Sequence, residues 1–194
     1  MSEVNDRIAR LWTGISLNVL PFAESSSGPL PIRRLLRLSL FQISCGMTAV
    51  LMVGTLNRVM IVEMGVAASL VAIMVALPLL FAPLRALIGF RSDSHRSVLG
   101  WRRVPYLWLG TIIQFGGLAM MPFALIILSG DTWAPPWVAQ IAAGLAFLMV
   151  GAGMHTVQTV GLALATDIVP RDAQPNVVTI LSLMQLIGMV VSAI

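Results

Sequence analysis

The chain has 194 residues, 58% of them hydrophobic and 10% charged, and a mean hydropathy of +0.92. Soluble domains carry about 25% charged residues, so this composition excludes a water-soluble globule and indicates a polytopic membrane protein. The net charge of +4 comes from arginine alone, with no lysine anywhere; the arginines are not interleaved with stacking aromatics, which argues against nucleic acid as a partner.

In chain order, residues 1–34 are expected to form a cytoplasmic segment ahead of a transmembrane bundle over residues 35–194. Within the segment, Ile8, Leu11, Trp12, Ile15, Val19 and Phe22 recur at helical spacing, with Asp6, Arg7 and Arg10 off that stripe. Two readings stay open: an amphipathic helix lying on the membrane surface, or a disordered tail. Residues 24–31, rich in Ser, Gly and Pro, then break any helix and serve as a linker.

A helix needs roughly 20 apolar residues to cross a bilayer, and spans are predicted over residues 35–62, 66–88, 104–128, 137–166 and 177–194. Pro78 and Pro83 are expected to kink the second, and Trp133 and Trp137 to anchor the turn before the fourth at the interface. The last run ends without flanking charge or polar tail. The chain is therefore expected to be the amino-terminal part of a longer protein, a natural five-span form being the alternative. Cys45 lies inside an apolar run, and as the single cysteine it can form no disulfide within the chain.

Arginine sets the expected orientation. Arg33, Arg34 and Arg37 precede the first span, and Arg85, Arg91, Arg96, Arg102 and Arg103 crowd the connection between the second and third. The opposite side carries only Arg58, Glu63 and Asp131. The positive-inside bias then places the amino terminus and the arginine loop in the cytoplasm.

Gly89 and Asp93 have the G-x-x-x-D spacing that resembles the signature between spans two and three of the major facilitator superfamily. Asp167-Ile-Val-Pro-Arg171 is similar to the acidic-apolar-Pro-Arg pattern at the end of span four in that superfamily. A glycine there allows close helix approach. An aspartate beside a helix amino terminus can accept backbone donors or pair with arginine across the gap. Ser94 stands where the pattern has arginine, and Gly100-Trp-Arg-Arg103 comes later than expected. Gly89, Asp93, Arg96, Gly100, Arg102, Arg103, Asp167 and Arg171 are the candidate residues of a conformational latch.

Longer stretches narrow the resemblance. LRLSLFQ at residues 36–42, GTLNRVMIVE at 54–63, ALPLLFAPLRALIGFRSDSHRSVLGWRRVPY at 76–106 and LALATD at 162–167 resemble the PucC-type bacteriochlorophyll delivery family. That resemblance implies an all-α membrane protein with a major facilitator-type bundle of twelve spans, of which this chain would hold the first five. It implies an assembly factor in the bacterial inner (intracytoplasmic) membrane that delivers or inserts bacteriochlorophyll during light-harvesting complex assembly. Bacteriochlorophyll a would be its cofactor, and antenna or reaction-centre subunits and the lipid bilayer its partners.

His155 is the sharpest candidate for holding the pigment. Gly151 lies one turn before it, and Gln158 and Thr159 one turn after, making a small-and-polar stripe that faces protein or a cavity. A neutral imidazole suits the axial position of a pigment magnesium, and the flanking glycines would leave room for a flat macrocycle. The other reading is a structural histidine bonded to a neighbouring helix. Arg58 and Arg85 are expected to snorkel to the two faces, and Gln42, Gln114 and Gln185 to bond between helices. No catalytic constellation appears, so no enzyme activity is expected. The rival functions are a small-molecule transporter of the major facilitator type and a pigment-free scaffold for antenna or reaction-centre helices.

Overall fold

A computed structural model describes residues 32–95, 102–130, 133 and 135–194. The amino-terminal segment with its two readings lies outside the described residues, as do Arg96, Gly100 and Trp101. Five helices are long and apolar enough to cross a membrane: α1 Leu35–Glu63, α2 Ala68–Ser94, α3 Val104–Leu128, α4 Pro136–Asp167 and α5 Gln174–Ala193. No strand occurs among the described residues.

Proline starts three of these helices: α3, α4 and α5 each carry it in the first turn, where its missing N–H has no partner to lose. Inside α2 the same residue does the opposite. The segment is α-helical over Ala68–Ala76, tightens to a 3-10 helix over Leu77–Phe81, and resumes as α-helix over Leu84–Ser94. Pro78 and Pro83 withhold backbone donors there, so the α ladder breaks and restarts in a new direction. α1 also departs from regularity, loosening to π-helical turns at Leu51–Leu56 and Val59–Glu63.

The second helix continues past residue 88, where the apolar run stops, to Ser94. Ser92 Oγ donates to Gly89 O at 2.8 Å and Ser94 Oγ to Phe90 O at 3.1 Å. Such local bonds are compatible with helix, so the helix carries on where hydropathy falls away. Hydropathy marks where a helix leaves apolar surroundings and is silent on where the helix ends.

α4 is the central element. It packs most closely with α3, while α1 packs most closely with α5. Its buried face is built from Ala139, Ala143, Ala146, Gly151, Gly153, Gly161 and Ala165, small enough to admit neighbouring backbones. A methyl at Gly117 would stand 2.7 Å from Val150 N, and one at Gly153 would stand 2.6 Å from Gly110 O. Two apolar clusters result. One gathers Met52, Met60, Val71, Met121 and Phe147; the other, nearer the arginine loop, gathers Leu38, Cys45, Leu107, Val157 and Leu181. Polar residues lie between them along the helices, including the buried bond from Gln114 Nε2 to Thr48 Oγ1 at 2.6 Å. Phe90, Phe115 and Phe123 point outward, a surface suited to hydrocarbon.

Candidate functional site

The loop end of the bundle is tied by one arginine. Arg103 Nη1 lies 2.9 Å from Asp93 Oδ1, and Arg103 Nε donates to Asp167 Oδ2 at 2.8 Å. Three helices meet in this cluster, because Arg103 precedes α3 directly while Asp93 and Asp167 sit in the last turns of α2 and α4. The Arg103 side chain is only 15% exposed, against 56% and 48% for the two aspartates. His95 adds an edge-on contact with Tyr106, ring centroids 5.4 Å apart.

Some expectations about this latch need correcting. Asp93 sits in the final turn of α2 and, among the described residues, meets the amino-terminal end of α3 through the Arg103 side chain rather than through a backbone donor. Gly89 is not a point of forced approach either: a methyl there would meet only Thr159 Cγ2, at 3.9 Å. The late position of Gly100-Trp-Arg-Arg103 does not cost the latch its cation, since Arg103 reaches both carboxylates. Arg102 is exposed beside it, and Arg171 is exposed on the turn between α4 and α5, outside the Arg103 cluster.

Deeper in, a second polar group forms around Arg85, which the sequence reading sent outward to snorkel. Arg85 follows the proline break directly, and its side chain turns inward to α4. Its Nη2 donates to Gln158 Oε1 at 2.8 Å and also contacts His155 Nδ1. Arg85 Nε and His155 Nε2 are buried without a hydrogen bond.

That contact fixes the histidine's tautomer. A guanidinium can only donate, so Nδ1 must supply the lone pair, and the ring proton of the neutral form sits on Nε2. Neither nitrogen then has a lone pair free for a metal unless Arg85 lets go. Gly151 offers no room beside it: a methyl there would run into the ring and Cα of Pro78. The small residues near His155 are used for helix packing, and the slot expected for a macrocycle is filled by α2.

The open space lies on the other side of Arg85. A cavity of about 500 Å³ is lined by Gln42, Arg85, Gln158, Thr159, Ser182 and Gln185 together with apolar neighbours. His155 is not part of its wall. Nine residues separate Arg85 from Ser94 and Gln158 from Asp167, ten separate Gln42 from Ile32, and eleven separate Gln185 from Gln174. At about 1.5 Å per residue the four groups converge about 14–17 Å in from the loop end, with Arg85 and Gln158 about a third of the way along α2 (27 residues) and α4 (32 residues). Among the described residues no group of His, Cys, Asp and Glu could hold a metal ion.

The fold and site define a multi-pass α-helical membrane protein with a charge latch at one end and an arginine-lined cavity deeper in the bundle. Comparison with known proteins makes this specific. The family model described as "PUCC protein" matches residues 55–194, and the chain belongs to that family. It is 65% identical to Protein PucC of Rhodovulum sulfidophilum over 178 residues, 90% of this chain and 39% of that protein. Against Protein PucC of Cereibacter sphaeroides it is 59% identical over 191 residues, 97% of this chain and 42% of that one. It is also 56% identical over 186 residues to a Rhodobacter capsulatus protein described as an uncharacterized protein in the puhA-bchM intergenic region, covering 95% of this chain and 39% of that protein. The chain thus spans about two-fifths of the length of these relatives. No solved structure matches it.

Proposed function

We propose that the chain acts in the assembly of photosynthetic complexes in a bacterial inner membrane, and that it does so by handing bacteriochlorophyll to light-harvesting proteins. Membership of the PUCC family over residues 55–194 carries this reading. The architecture is compatible with a non-catalytic carrier: an apolar bundle, a polar cavity among its helices, and a latch that joins α2, α3 and α4 at one end.

In this reading His155 remains the candidate axial ligand, with Gln158 and Thr159 on the same face of α4. Arg85 controls it. Withdrawal of Arg85 from Nδ1 would let the ring proton move to that nitrogen and leave Nε2 with a lone pair for magnesium. The observed contacts support a pigment-free scaffold instead, because they leave His155 occupied and the space at Gly151 filled.

An absorption spectrum of the chain purified from a phototrophic host separates the two. A co-purifying bacteriochlorophyll band that disappears in His155→Leu supports delivery through His155. A band unchanged in that variant would sink the ligand assignment while keeping delivery. A protein clean of pigment would favour the scaffold.

A further inference from the structure

We infer that the cavity between α1, α2, α4 and α5 is an anion-binding site, taking a phosphate or carboxylate group with Arg85 as its counter-charge. Arg85 bears a permanent charge inside the helix bundle, yet its observed partners there, Gln158 and His155, carry none. The ion pairs among the described residues engage Arg103 instead. An arginine inside a bilayer without a neutralising partner is strongly disfavoured, and arginine matches phosphate and carboxylate oxygens better than any other side chain.

The surroundings favour an anion over a cation or an apolar ligand. No acidic residue lines the cavity; beside Arg85, the amides of Gln42, Gln158 and Gln185 and the hydroxyl of Ser182 can turn donors toward an anionic oxygen, while Thr159 Oγ1 already donates to His155 O. The guanidinium is also incompletely satisfied by protein, since its Nε has no partner. The volume of about 500 Å³ falls within the ~300–1,000 Å³ of small-molecule pockets, so more than a bare inorganic ion fits. Leu162 and Val178 on the rim are 39% and 40% exposed, which gives an attached apolar tail a path outward. Two sources share this chemistry: the headgroup of an anionic lipid and a free anion in water. The inference stands apart from pigment delivery, and a protein without pigment would leave it intact.

The test uses the full chain in detergent, with thermal unfolding followed by the reaction of Cys45, buried in the fold, with a thiol dye. Inorganic phosphate is titrated in one arm. Phosphatidylglycerol is titrated in a second against phosphatidylcholine, all at constant ionic strength. Saturable stabilisation by phosphatidylglycerol alone identifies a lipid headgroup, and stabilisation by phosphate alone identifies a free anion. Arg85→Gln should weaken the effect by about tenfold or more, as expected for loss of a charged hydrogen-bonding group. Arg58→Gln, an exposed arginine near the far end of α1, should leave it unchanged. Ser182→Leu keeps Arg85 but fills the cavity, and should abolish the effect even if Arg85→Gln fails to fold. No stabilisation in either arm, or stabilisation undiminished in Arg85→Gln or Ser182→Leu, overturns the inference.

Discussion

Asp93, Arg103 and Asp167 each occupy a helix end that disfavours their charge. Carboxylates suit helix amino termini and cations suit carboxyl termini, yet Asp93 and Asp167 close α2 and α4, and Arg103 opens α3. Each is held there by the others, so the cluster is cooperative and its net contribution small, about 1 kcal/mol for so exposed a pair of bridges. Arg103→Gln should lower thermal stability by that amount, with high salt narrowing the gap to wild type. Arg103→Lys should not restore it, because two different nitrogens of the guanidinium reach the two aspartates and an ammonium cannot span both. Full rescue by lysine would show that charge alone matters. The sequence makes the chemistry of this cluster readable, since the acids and arginines stand out against an apolar chain. It does not show which arginine does the work: the shifted Gly100-Trp-Arg-Arg103 looks out of register until the helix ends converge. Arg85 was harder still. It lies near enough to a face to snorkel, and the inward turn depends on the break at Pro78–Pro83, whose direction no hydropathy pattern encodes.

Elements, by contrast, were largely legible, because twenty-odd apolar residues in a row leave few choices in a bilayer. What periodicity could not assign is which helices touch at backbone distance. The glycines answer that in space. A methyl on Gly188 would strike the carbonyl of Ile43, and one on Gly46 would lie 3.0 Å from Met189 N, so α1 and α5 approach with no side chain between them. Ser192 Oγ adds a bond to Met47 O at 3.2 Å across the same seam. Gly188→Val should therefore push the helices apart and destabilise the bundle by about 1–3 kcal/mol, the usual cost of overpacking. Gly89→Ala should stay within about 0.5 kcal/mol of wild type, since only Thr159 lies nearby. Thermal unfolding of the two variants side by side checks the pair. An unaffected Gly188→Val would mean that α1 and α5 do not meet as closely as their backbones indicate.

At the scale of the whole molecule, alternation of the five helices gathers charge at one end. Arg33 lies just before α1 and Arg37 in its first turn, Arg91 lies near the end of α2, Arg102 and Arg103 precede α3, and Arg171 lies between α4 and α5. The other end holds Arg58 and Glu63 at the end of α1, together with the glycine turns at Gly65 (φ 64) and Gly130 (φ 86). Those turns adopt a left-handed backbone that glycine enters at little cost, so that end can close its connections tightly. An excess of arginine on one side is the usual determinant of insertion, and on that basis the latch is expected to face the cytoplasm and the glycine turns the periplasm. Ser94 and Ser129 are exposed at the two opposite ends, and both are suited to a single-cysteine test in a Cys45→Ala background. In intact spheroplasts a membrane-impermeant maleimide should label Ser129→Cys and should reach Ser94→Cys only after permeabilisation. The reverse pattern would invert the molecule, move the Arg103 latch to the periplasm, and require the Arg85 cavity to fill from the other side.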